Sequence, residues 1–192
     1  MIAQLIHDSR RLDRAEMIKE QERVNGLKCI LWPARFFDAP NGYILGPWAA
    51  HKQIVRWAKE QNLPYVWICE DDVKFTHPKA IDYFLSQIPQ DNHTNIFLGG
   101  VWRSKWIAGE LKTWSGIHCY VMFSKFYDKF LAAPEEKPVD IWIAEWHAIY
   151  GGNRISTCKP LVAFCYDGIS GTTGDYLIHS DLVGEDSEFF NG

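Results

Sequence analysis

Short apolar runs alternate with longer amphipathic stretches along this chain, which is the rhythm of strands and helices taken in turn. Ile2 to Ile6 predicts a short buried strand. Asp8 or Ser9 then caps a helix to about Val24, with Leu12, Ala15, Met17 and Ile18 as its apolar stripe and Asn25-Gly26 as its end. Leu27 to Trp32 is a second strand, stopped by Pro33, and a strand–helix–strand unit of this kind makes the two strands parallel. Ala34 to Pro47 predicts an irregular loop, and a helix follows from Trp48 to Gln61 with Ala50, Ile54, Trp57 and Ala58 on one face. Tyr65-Val66-Trp67-Ile68-Cys69 is almost continuously apolar, as a central parallel strand is, and it stops abruptly at Glu70-Asp71-Asp72.

Further on, Thr76-His77-Pro78 opens a helix to about Ile88. Asn95 to Leu98 is a strand ending at Gly99-Gly100, and Val101 to Trp114, polar and aromatic, predicts a loop. Ile117 to Phe123 is a strand, Ser124 to Leu131 a helix, Pro138 to Tyr150 another, and Pro160 to Phe164 a last strand. The expectation is an α/β fold with a mainly parallel sheet flanked by helices, in a single domain over residues 1–165. Gly168, Gly171 and Gly174 make residues 166–192 a closing loop and tail. Ligands in such folds bind beyond the carboxyl ends of the strands, where Glu70, Asp71 and Asp72 fall.

Composition refines this picture. The 192 residues are 47% hydrophobic, enough to fill a core, and nine tryptophans supply both core volume and flat faces suited to sugars or bases. The formal net charge of −4 argues against a general nucleic-acid binder. Five cysteines without a CxxC pair form neither a zinc signature nor a disulfide framework, and buried reduced thiols fit a cytoplasmic protein. The start lacks a basic leader, and no apolar run approaches the ~20 residues of a membrane span.

Three adjacent carboxylates repel one another, and a divalent cation such as Mn²⁺ or Mg²⁺ removes that cost. Glu70 and Asp72 point one way along an extended segment, with Asp71 turned off. A solvated acidic turn explains the same residues without a metal. Asp140, in the first turn of its helix, is either a dipole-favoured acid or a general base, and it ranks above Glu145. His51 and His118 are ligand candidates or hydrogen-bonded core residues, and His179 is a candidate in the tail. Arg11 and Arg14 suit a diphosphate or a solvated helix face.

Several segments fall into one known order. Ser9-Arg10-Arg11-Leu12-Asp13-Arg14, Trp32-Pro33-Ala34, Gly46-Pro47-Trp48 through His51 to Trp57, Glu70-Asp71-Asp72-Val73, His118 to Val121 and Pro138-Val139-Asp140 together resemble glycosyltransferase family 25. That family comprises bacterial lipooligosaccharide and collagen galactosyltransferases. Ala50, where the family has serine, and Gly171, where an acid is expected, depart from the pattern. The resemblance implies a GT-A, Rossmann-like fold and inverting transfer of galactose or glucose from a UDP-sugar. It implies a metal on Asp72 and Glu70, donor contacts from Arg11, Arg14, His51 and Asp71, and Asp140 as the base. Trp102, Trp106 and Trp114 would stack on the acceptor, a saccharide or a hydroxymethylated base in phage-type DNA. A non-catalytic nucleotide-sugar-binding module and a metal-dependent phosphoesterase or nuclease are the alternatives.

Overall fold

A computed structural model describes residues 1–107, 110–150, 154–165, 168–169 and 176–177, with the side chains at 103–104, 106–107, 110, 168–169 and 176–177 set aside. The strands are β1 (Ala3–His7), β2 (Cys29–Pro33), β3 (Tyr65–Glu70), β4 (Val73–Phe75), β5 (Ile96–Ile107), β6 (Glu110–Phe123), β7 (Ile155–Thr157), β8 (Ala163–Cys165), β9 (Gly168–Ile169) and β10 (Tyr176–Leu177). The helices are α1 (Leu12–Asn25), α2 (Gly42–Glu60), α3 (Ala80–Ser86), α4 (Tyr127–Leu131) and α5 (Val139–Tyr150). The main sheet has six strands in the order β2-β1-β3-β6-β5-β7. β1 runs parallel to β2 and β3, β7 runs parallel to β5, and β6 is antiparallel to both of its neighbours. Five strands therefore point one way and β6 alone points back, which is the mainly parallel sheet that the alternating pattern predicts.

Alternation along β3 shows why the sheet sits in the middle. Val66 and Ile68 join the cluster formed with Trp48 and Ile54 of α2 and Ile143 of α5. Trp67 and Cys69 join the opposite cluster, with Ile18 of α1 and Phe84 of α3. A strand buried on both faces needs apolar residues at every position, and Tyr65 to Cys69 provides them. The β1–β2 connection runs over one face through α1 and the β2–β3 connection over the other through α2. The chain thus reverses its winding between β1 and β3, a topological switch point.

Several expected boundaries move. α1 starts at Leu12, after Arg11, with no side-chain cap from Asp8 or Ser9, while Gly26 closes it at φ 67° as expected. α2 begins at Gly42 and carries Pro47 inside it, so the expected loop ends six residues sooner. Proline is normally read as a helix start, and here it lies in the second turn. The expected loop from Val101 to Trp114 is instead the extension of a β5–β6 hairpin, with Trp102 opposite Ser115 and Lys105 opposite Thr113. Gly99-Gly100 does not end β5. Leu98 faces Tyr120 and Gly100 faces Cys119, so Gly99 is an extra residue in a bulge. A Cβ on Gly100 would stand 2.2 Å from the Ala163 carbonyl oxygen, and glycine there lets the start of β8 lie against β5. β4 and β7, three residues each, are additions to the expected elements. Among the described residues, no helix is long and apolar enough to cross a membrane. His179 and most of the expected closing segment lie outside the described residues.

Candidate functional site

The acidic turn leaves β3 at the switch point, and each of its carboxylates meets a different basic side chain. Glu70 Oε1 lies 3.3 Å from His51 Nε2, whose Nδ1 lies 2.7 Å from the Tyr120 hydroxyl. His51 is buried, projecting from α2 into the first core cluster beside Tyr120. Asp71 Oδ2 accepts the Asp8 backbone N–H at 3.0 Å and lies 3.0 Å from His7 Nδ1, tying the turn to the end of β1. Asp72 Oδ2 lies 3.4 Å from a terminal nitrogen of Arg14, which the first turn of α1 buries to 4% exposure. Burial lowers the Arg14 pKa, while the Asp71 charge beside it acts the other way. The repulsion inherent in three neighbouring carboxylates is thus offset in part by the Arg14 charge and by hydrogen bonds to His7, His51 and the Asp8 backbone.

One oxygen of the turn is left over. Asp72 Oδ1 is shielded from solvent and has no hydrogen-bond partner among the described residues. A buried carboxylate oxygen in that condition costs free energy, and a metal ion or a ligand proton would satisfy it. Asp72 thus fits an oxygen-seeking cation better than Asp71, whose Oδ2 is taken by the β1–α1 turn. Two other potential ligands stand close. His118 from β6 and Cys165 from β8 place ligand atoms so that these and an Asp72 oxygen all lie within 4.8 Å of one another. Cys165 arrives there because β8 pairs antiparallel with β4, setting Cys165 opposite Val73, the residue after Asp72.

Asp140 is held by backbone instead. Its Oδ2 accepts the Gly116 N–H at 2.6 Å. On β6, Ile117 faces Val101 and Ser115 faces Trp102, so Gly116 is the extra residue of a second bulge, with φ 70°. That conformation suits glycine, and the bulge frees the N–H from the sheet ladder to reach the first turn of α5. A Cβ at Gly116 would lie 3.3 Å from the His118 ring, so the Asp140 anchor and the Asp72 cluster adjoin.

The other sequence candidates are placed as follows. Arg11 is engaged by Asp13 through two bonds of 2.6 and 2.8 Å on the exposed side of α1, and feels the charges of Asp71 and Asp8. Trp114 is buried at 3% exposure, its ring 5.5 Å from His147, so its face is not presented to a ligand. Trp102 is half-buried beside the Gly116 bulge. Trp106 belongs to β5, and its side chain lies outside the description. Glu145 pairs with Lys137 at the surface. His7, Tyr120, Gly116 and Cys165 were not singled out by sequence as site residues. His7 ends the first apolar run and Gly116 interrupts a β-rich stretch, and those are the only local signals they give.

No family model matches the chain, and no curated protein matches it. A solved structure that does match is a glycosyltransferase involved in the glycosylation of the major capsid of PBCV-1. It is 13% identical over 82% of this chain and 81% of that chain, with a TM-score of 0.47. Likeness at that level assigns no activity, which has to come from the site.

Proposed function

We propose that the protein is a metal-dependent glycosyltransferase that moves a hexose, galactose or glucose, from a UDP-sugar to an acceptor hydroxyl with inversion. The observation that carries this reading is the acidic turn at the β1–β3 switch point, with an unsatisfied buried oxygen on Asp72. The order of segments shared with glycosyltransferase family 25 supports it. Asp72 is the principal metal ligand, with Glu70 beside it on the His51–Tyr120 support. A divalent cation bound there would neutralise charge on the departing diphosphate. Asp71 fixes the β1–α1 turn, and Arg14 holds the second oxygen of Asp72. Arg11 stands over the same turn and exchanges Asp13 for the donor diphosphate.

Asp140 serves as the base. With Oδ2 committed to Gly116, Oδ1 takes the proton from the acceptor hydroxyl. The acceptor oxygen then bonds to the anomeric carbon, the bond from that carbon to the diphosphate oxygen breaks, and UDP leaves. Trp102, half-buried where Trp114 is buried, is the tryptophan assigned to stack on the acceptor. A saccharide is the favoured acceptor over hydroxymethylated DNA, because the chain is acidic overall. We read the protein as cytoplasmic from its unpaired cysteines.

The test is incubation with Mn²⁺ and a panel of nucleotide sugars, followed by acceptor screening. Asp140→Asn is expected to keep UDP-sugar binding and to lose about 10²–10⁴-fold in transfer. Wild-type turnover in that variant removes Asp140 as the base. Binding without turnover in the native protein favours the binding module, and phosphodiester cleavage favours the nuclease.

A further inference from the structure

The residues around the open oxygen of Asp72 are not those that a Mg²⁺ or Mn²⁺ site ordinarily gathers. Hard cations of that kind collect oxygens and keep several waters. Here an imidazole and a thiol stand within 4.8 Å of an Asp72 oxygen, and both are buried: His118 is 1% exposed and Cys165 is 9% exposed. The three residues come from separate elements, the β3–β4 turn, β6 and β8, so local sequence does not bring them together. A mixed carboxylate, imidazole and sulfur set matches the preferences of zinc-class ions.

From this convergence we infer that Asp72, His118 and Cys165 form a site for a thiophilic divalent cation of the zinc class. Tetrahedral zinc, with Zn–S of about 2.3 Å and Zn–N of about 2.0–2.1 Å, separates its sulfur and nitrogen by about 3.6 Å. In the metal-free chain Cys165 Sγ lies 2.7 Å from His118 Nδ1, in a hydrogen bond, and 3.6 Å from Nε2, so ion uptake replaces that bond and opens the Nδ1–Sγ separation by about 0.9 Å. Asp72 contributes Oδ1, while Arg14 stays on Oδ2 and balances part of the negative charge. Burial pushes the Cys165 thiol well up, so the metal-free protein carries it protonated. Metal uptake breaks that S–H bond, forms the S–metal bond and releases the proton to solvent. The inference shares Asp72 with the proposed transferase but rests on ligand chemistry alone.

The experiment reads the sulfur bond directly, because almost any N/O/S site prefers zinc to manganese. Chelator-stripped protein is titrated with Co²⁺ and followed by absorbance. The expected result is one ion per chain with a near-ultraviolet thiolate-to-cobalt charge-transfer band. The band disappears in Cys165→Ser, and zinc affinity falls more than about 100-fold in His118→Ala, beyond the loss typical of an outer-shell change. Wild-type protein that binds Co²⁺ without the thiolate band overturns the inference, whatever the variants do. UDP-sugar turnover with no thiolate band leaves the transferase reading standing alone. A thiolate band in a protein that neither binds nor turns over nucleotide sugars leaves the metal site standing alone.

Discussion

The turn after β3 and the bulge in β6 each hold a carboxylate in place, by different means. At the turn, side chains do most of the work: His51, His7 and Arg14 each face one acid of Glu70-Asp71-Asp72, and the Asp8 backbone N–H adds one bond to Asp71. At the bulge, the backbone does it: a single N–H, freed by the left-handed conformation of Gly116, fixes Asp140. An electrostatic support is strong where it is buried and fragile when one partner goes. A backbone support tolerates changes of charge and depends on one residue having no Cβ. The two means make the acids independently adjustable, and substitutions on either side separate them.

The largest effect is expected at the turn. Arg14→Met leaves Asp72 without the buried cation at 3.4 Å and should cost about 3 kcal/mol in urea unfolding, measured without metal. The double variant Arg14→Met/Asp72→Asn should recover most of that loss. If it does not, Arg14 contributes packing and not charge. Gly116→Ala should cost about 1–2 kcal/mol from backbone handedness, and the close approach of its Cβ, 3.0 Å from Trp102 Cβ, adds to that. Full stability in that variant would mean that the bulge relaxes and that Asp140 is not fixed by it. The smallest effect belongs to Asp13→Asn, one residue before Arg14 but exposed, which should cost less than about 0.5 kcal/mol. The Arg11 guanidinium holds the Asp13 carboxyl down at about 2, against an ordinary 3.8. Its contribution is therefore present above pH 4 and is lost as the pH falls through 2. A pH dependence of the Asp13 variant extending above 5 would place that coupling elsewhere.

The parallel half of the sheet was legible because its signals are local. β1, α1, Gly26 and β3 each follow from runs or caps within a few residues. In the hairpin half the roots, Asn95 to Leu98 and Ile117 to Phe123, were legible, and the extension between them was not. Bulges at Gly99 and Gly116 reset the two-residue period, so Val101 to Trp114 loses the alternation that marks a strand. Pro47 hid the first turn of α2 for a related reason, since its usual position is a helix start. In the site, the acidic turn and its place at a strand end could be read from sequence. Its pairing with His7, His51 and Arg14 could not, and neither could the approach of Cys165, because these contacts depend on which strands neighbour which.

The pairing of β4 with β8 also has a consequence for the order of assembly. Val73 meets Cys165 and Phe75 meets Ala163 across nearly half the length of the chain. Closing so long a loop is entropically costly and slow compared with forming β1, α1 and β2, whose contacts are near in sequence. During synthesis, the acidic turn leaves the ribosome long before the thiol that completes its surroundings. The cluster is therefore a late product of folding, and the protein acquires it only when β8 docks.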